Sequence, residues 1–99
     1  MTGVQTCALP ISCEVPLEVA ELGDRVAALA AEIAGRGNPA VHGDALTAAR
    51  LAAAAAQAAA ALVRINLAGT PDDPRATRAA RLAAQAARLA DAAEGASGV

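Results

Sequence analysis

The stretch Val15-Pro16-Leu17-Glu18-Val19-Ala20-Glu21-Leu22-Gly23-Asp24-Arg25-Val26-Ala27-Ala28-Leu29-Ala30-Ala31-Glu32-Ile33 decides the fold. Val15, Val19, Leu22, Val26, Leu29 and Ile33 recur at alternating steps of four and three, which an α-helix gathers into one apolar stripe. Pro16 stands at a favoured first helical position. Glu18 and Glu21 follow in the early turns, where carboxylates meet the positive end of the helix dipole. Gly35, Gly37 and Pro39 punctuate the far end, so the reading predicts a helix over 16–35. Gly23 sits inside it at a cost in helix propensity.

Two further helices follow. The second is predicted over 44–67, from Asp44 to just before Gly69. Arg50, Gln57 and Arg64 form its narrow polar stripe, while Leu46, Leu51, Leu62, Ile65 and many alanines cover the rest, so most of its circumference is expected to be buried. The third is predicted over 73–94, with Asp73 as N-cap and Pro74 at the first helical position. Leu82 and Leu89 mark its expected core side, and Arg78, Arg81, Gln85 and Arg88 its polar face. Residues 95–99 are expected to fray. The fold class is therefore all-α: three helices, two short loops and no internal repeat.

Composition limits what such a chain does alone. Its 99 residues suit one small domain, and 56% are apolar, but most of these are alanine and none is Phe, Tyr or Trp. Small side chains make a thin core, so the helices are expected to pack against a second copy or a further segment. The net charge is −2 and every basic residue is an arginine dispersed among acids, which excludes a nucleic-acid footprint. Cys7 and Cys13 form neither a zinc-ligand nor a disulfide pattern. There is no basic leader, and the longest apolar run, 51–63, is mostly alanine broken by Gln57, so the reading is a cytoplasmic protein with no membrane span.

Residues 1–12 have neither helical nor strand periodicity. Met1 to Ile11 read as the translation of a sequencing-library adapter and are set aside as a leader, with the domain expected over 13–94.

Three motifs fall in a fixed order at predicted helix ends. They are Val15-Pro16-Leu17-Glu18-Val19-Ala20, then Gly37-Asn38-Pro39 with Asp44 behind it, then Val63-Arg64-Ile65-Asn66-Leu67. In order and spacing they resemble the C-terminal half of the cyclodeaminase/cyclohydrolase family. This family of folate enzymes includes formiminotetrahydrofolate cyclodeaminase and methenyltetrahydrofolate cyclohydrolase. The resemblance implies a helical, dimeric bundle with a folate pocket built from helix ends. It implies a tetrahydrofolate derivative as substrate, with no cofactor and no metal. Gly43 stands where the family usually has Ser, and Leu62 where it commonly has Asn. The family's Pro-Gly-Gly-Gly-Ser-like upstream segment is absent from these residues, so the chain alone is expected to be inactive.

On that resemblance Asp44 is the catalytic candidate, since a carboxylate can take a proton from water or amine and stabilise an amidinium cation. Glu18, Asn38, Arg64 and Asn66 are the substrate-binding candidates. Each has a plainer role at a helix end. Asp44 and Glu18 suit a helix start, Asn38 suits a left-handed turn between Gly37 and Pro39, and Arg64 and Asn66 suit a helix C-terminus. His42, the single histidine, reads as a solvated loop residue, and Arg78, Arg81 and Arg88 as a solvated face. The competing reading is a non-catalytic helical dimerisation module.

Overall fold

The computed structural model describes residues 10–36 and 38–96. Three helices make up these residues, α1 (Pro10–Ala34), α2 (Pro39–Asn66) and α3 (Pro74–Ala96), and each packs on the other two. No strand occurs among the described residues, and the fold is all-α as the periodicity implies.

The helix starts differ from the expected ones. α1 begins at Pro10 rather than at Pro16, which instead lies inside the helix. A mid-helix proline removes one backbone bond and crowds the preceding turn. Here the preceding turn carries Cys13, which is fully buried in the core, so packing holds the helix through the proline. Within the leader segment, residues 1–9 lie outside the described residues, whereas Pro10, Ile11 and Ser12 continue α1.

α2 begins at Pro39, five residues before the expected start at Asp44. Asn38 is its N-cap, with Oδ1 accepting the Ala40 N–H at 3.0 Å and Pro39 in the first turn. The φ of Asn38 is −87° and its ψ 105°, the extended backbone that a residue before proline prefers, so the left-handed turn expected there is not present. Pro39 thus starts α2 rather than closing α1. At the other end Leu67 turns the chain, donating its N–H to the Val63 carbonyl at 2.9 Å.

α3 starts as expected behind Asp73, whose Oδ1 accepts the Arg75 N–H at 2.9 Å. It runs on through Gly95 to Ala96, past the expected end at Glu94, and residues 97–99 lie outside the described ones.

The interior is built of small side chains. Apart from Cys13, Val63 and Leu67, every buried apolar residue among the described ones is an alanine, including Ala27, Ala30, Ala49, Ala56, Ala79, Ala86 and Ala90. The core line of α3 is Ala79, Ala83, Ala86, Ala90 and Ala93, with Leu82 and Leu89 only half-buried, so alanine and not leucine marks its inner side. Small residues let helix axes approach closely, and the bundle is narrow, 18 × 14 Å across at Cα. Gly23 sits at a close crossing of α1 and α2. A Cβ there would lie 2.8 Å from the Ala52 carbonyl oxygen and 3.1 Å from the Ala56 Cβ, so α1 and α2 meet backbone to backbone at this point.

Many of the large apolar residues are outside. Val15, Val19, Leu22, Val26, Leu29 and Ile33, the whole stripe of α1, are 38–61% exposed. Leu51, Leu62 and Ile65 of α2 are 52–67% exposed, which corrects the expectation that most of α2 is buried. By length and composition alone α2 could cross a membrane, with 33% of its most apolar window buried in the bundle.

Candidate functional site

Asp44 lies in the second turn of α2, exposed, and makes no hydrogen bond or ion pair among the described residues. The capping role that would have accounted for it belongs to Asn38, six positions earlier. Its carboxylate is left open to solvent, where it can accept a proton or a cationic partner.

Asn38 has one lone pair of its side-chain oxygen engaged by the Ala40 N–H, which leaves its amide NH₂ and the second lone pair to reach a ligand. Glu18 is exposed in the third turn of α1, not in the first turn, so the helix dipole no longer accounts for it. Arg64 is exposed in the last turn of α2, where a cation favours the negative end of the dipole, and Asn66 is the last residue of that helix. His42 is half-buried in the first turn of α2 rather than in a loop, and its Nε2 is buried without a hydrogen-bond partner.

These side chains are divided between the two ends of the bundle. Asp44 and Asn66 are 22 residues apart on one continuous helix, a rise of about 33 Å. Because α1 and α2 run antiparallel past the Gly23 crossing, Glu18 lies toward the Asn66 end and Asn38 toward the Asp44 end. One copy of the chain therefore places Asn38, His42 and Asp44 at one end of α2 and Arg64 and Asn66 at the other, and it does not bring the two sets together.

The charged residues make the other recognisable pattern. Arg50 bridges α2 to α3 through Asp91 Oδ1 at 2.8 Å and through Glu94. Its hydrogen bond to Asp91, and then that to Glu94, raise the pKa of a guanidinium that is already fully protonated. Arg78 links α3 to α1, with Nε at 3.0 Å and Nη2 at 2.8 Å from Glu21 Oε2. Asp73 holds the Arg75 guanidinium at 2.8–3.1 Å, and that contact, with the Arg75 backbone bond, lowers its pKa to about 2. Arg81 and Arg88 remain exposed on the outer face of α3, as the spacing predicted. No group of three or more metal-ligating side chains occurs among the described residues.

Sequence reasoning missed Gly23 and the open face of α1. The signal for Gly23 was present: a helix-weakening glycine, with alanines around it, facing an alanine-rich helix. A family model described as formiminotransferase-cyclodeaminase matches residues 4–88, a span that includes Glu18, Asn38, Asp44, Arg64 and Asn66. No curated protein and no solved structure matches the chain.

Proposed function

The chain belongs to the formiminotransferase-cyclodeaminase family, and on that premise we propose that it serves folate one-carbon chemistry, as part of a methenyltetrahydrofolate cyclohydrolase or a formiminotetrahydrofolate cyclodeaminase of the cytoplasm. The observation that carries this reading is the open carboxylate of Asp44 at the Asn38 end of α2, inside the matched span. In the hydrolytic reaction water adds to the cationic methenyl carbon, one C–N bond of the ring opens, and a proton leaves as the formyl group forms. In the cyclising reaction a ring nitrogen attacks the formimino carbon and ammonia departs. Both need a base beside one carbon and a negative charge near an amidinium, and Asp44 supplies both. Asn38, Glu18, Arg64 and Asn66 are the substrate-binding candidates, with Arg64 suited to the glutamate carboxylates of a folate.

No metal or cofactor is needed for either step. The reading takes two copies of the chain, because one copy leaves the candidate residues at opposite ends, and it takes neither nucleic acid nor membrane as partner. It also takes these 99 residues alone to be inactive.

The test joins the chain to an upstream half that carries the family's glycine-rich segment and follows the loss of methenyltetrahydrofolate absorbance. Turnover is expected, and Asp44→Ala is expected to lower it far more than it lowers thermal stability. A well-folded joined protein that consumes neither methenyl- nor formimino-tetrahydrofolate overturns the reading. The division of the candidate residues favours a second reading, a non-catalytic helical dimerisation module, and that same null result would leave it standing.

A further inference from the structure

Thr47 is the only hydroxyl side chain of α2, a helix otherwise filled mostly with alanine. At an exposed position threonine costs helix propensity against alanine, and exposure leaves little packing to offset that cost. Its Oγ1 donates to the Gly43 carbonyl at 2.8 Å. Such a bond to the carbonyl one turn earlier is ordinary in helices, and alone it indicates nothing. It has a chemical consequence, however. With its single proton committed, Oγ1 offers a neighbour lone pairs only.

What Thr47 borders gives that acceptor a use. Gly43, one turn earlier on the same face, is exposed, and a Cβ there would meet nothing within 4 Å, so the helix surface has a notch beside the threonine. Asp44 stands three residues before Thr47, also exposed and without a hydrogen bond or ion pair among the described residues. Side chains at that spacing are neighbours on a helix, with Cβ atoms about 5–6 Å apart. A carboxylate and an acceptor-only hydroxyl therefore flank one notch. Water has two protons to donate. At hydrogen-bond lengths of about 2.8 Å its two acceptors stand about 4.5 Å apart, a span that side chains at 44 and 47 bridge.

We propose that Thr47 holds the hydrolytic water against Asp44. The water donates one O–H to the Asp44 carboxylate and the other to Thr47 Oγ1, which turns its lone pair away from the helix and toward the methenyl carbon of a bound folate. The oxygen bonds to that carbon, the first proton passes to Asp44, and the C=N electron pair moves onto the ring nitrogen. The second O–H stays on Thr47 through the tetrahedral intermediate. When one ring C–N bond then breaks, its nitrogen takes the proton back from Asp44, the carbonyl forms, and the remaining hydroxyl proton leaves to solvent. Thr47 sets where the water sits and transfers no proton itself. This role rests on the folate reading of Asp44 and selects its hydrolytic form, since the cyclisation of a formimino group consumes no water.

The experiment uses the joined protein described above, with Thr47→Val and Thr47→Ser. Thr47→Val keeps the shape and removes the acceptor. It is expected to lower kcat for methenyltetrahydrofolate about tenfold, near the upper limit for one neutral hydrogen bond, with KM and melting temperature unchanged. Thr47→Ser restores the acceptor and is expected to retain most of the wild-type kcat. Equal kcat in Thr47→Val and wild type overturns the assignment and leaves the folate reading of Asp44 in place. A Thr47→Val melting temperature that falls in step with activity does the same, because it makes the threonine structural. A joined wild type that consumes only the formimino substrate also overturns the assignment alone. One that consumes neither substrate overturns the folate reading and this assignment together.

Discussion

The two faces of α1 invert the usual division of a helix. Its inner face is Cys13, Ala20, Gly23, Ala27, Ala30 and Ala34, and its outer face is Val15, Val19, Leu22, Val26, Leu29 and Ile33. Burying one methylene contributes about 0.8 kcal/mol, against about 1.5–3 kcal/mol for a whole Val, Leu or Ile side chain, so the bundle leaves its most valuable apolar surface in water. What the inner face gains is proximity, with backbones in contact at Gly23 and many weak dispersion contacts along the alanines. A regular apolar stripe therefore marks a surface that packs on something, but not what it packs on.

The sharpest way to break this contrast is at Gly23. Gly23→Val places branched carbon against the Ala52 carbonyl oxygen, only 2.8 Å from a Cβ, and the blocking atom is backbone. Overpacking of this kind is expected to cost about 3 kcal/mol in a thermal or denaturant melt. Gly23→Ala gains about 1 kcal/mol of helix propensity and still has to push the helices apart, so a net loss is expected. A rise in melting temperature for Gly23→Ala would show that α1 and α2 do not approach so closely.

The outer face predicts a smaller loss of a different kind. Leu29 is 61% exposed and lies outside the core, so most of the cost of Leu29→Ala, about 2 kcal/mol, is expected to enter through association and to depend on protein concentration. Melts at two concentrations separate the faces. The Gly23 penalty stays constant on dilution, whereas the difference between Leu29→Ala and wild type shrinks. A concentration-independent Leu29 penalty would place that side chain in the bundle's own core.

Much of the fold was legible because its signals are local. The steps of four and three, Asp73-Pro74 and Gly69 place three helices without tertiary information. The starts were less legible where one residue carries two meanings. Pro39 reads equally as a stop for α1 and a start for α2, and only the Asn38 side chain on Ala40 decides it. Pro16 reads as a start unless it is known that Cys13, one turn earlier, is buried. Which side of α1 is inside was not legible, because alanine suits a helix interior, a helix surface and a close crossing alike. The types of the candidate site residues could be read from the chain. Their separation could not, since whether Asp44 and Asn66 meet depends on copies and registers that only a structure supplies.

The two helix caps offer a finer contrast within the same bundle. Asn38 caps α2 with an amide oxygen that does not titrate, whereas Asp73 caps α3 with a carboxylate whose pKa is lowered to about 2 from an ordinary 3.8 by Arg75. A depressed folded-state pKa contributes stability that is fully present above the unfolded value and lost as pH falls through the folded one. The Asp73 contribution is therefore expected to be flat from pH 7 to about 5 and to disappear between about pH 4 and 2. Asp73→Asn keeps an oxygen for the Arg75 N–H and removes that pH dependence, while Asn38→Asp introduces one at α2. Equal acid sensitivity of wild type and Asp73→Asn would show that the carboxylate does not hold Arg75 in solution.

The smallest effect is expected at Arg50, which joins α2 to α3 through Asp91 and Glu94 on the flank away from the apolar seams. Asp91 is 72% and Glu94 59% exposed, so water and salt screen most of the attraction. Arg50→Gln is expected to shift the melt only slightly at low salt and not at all at high salt. Its informative readout is association, because a seam confined to the outer faces of α1 and α2 leaves Arg50 in solvent whether or not that seam is covered. Arg50→Gln and wild type are then expected to sediment alike. If the substitution weakens association, the surface that packs on a partner extends round α2 toward α3.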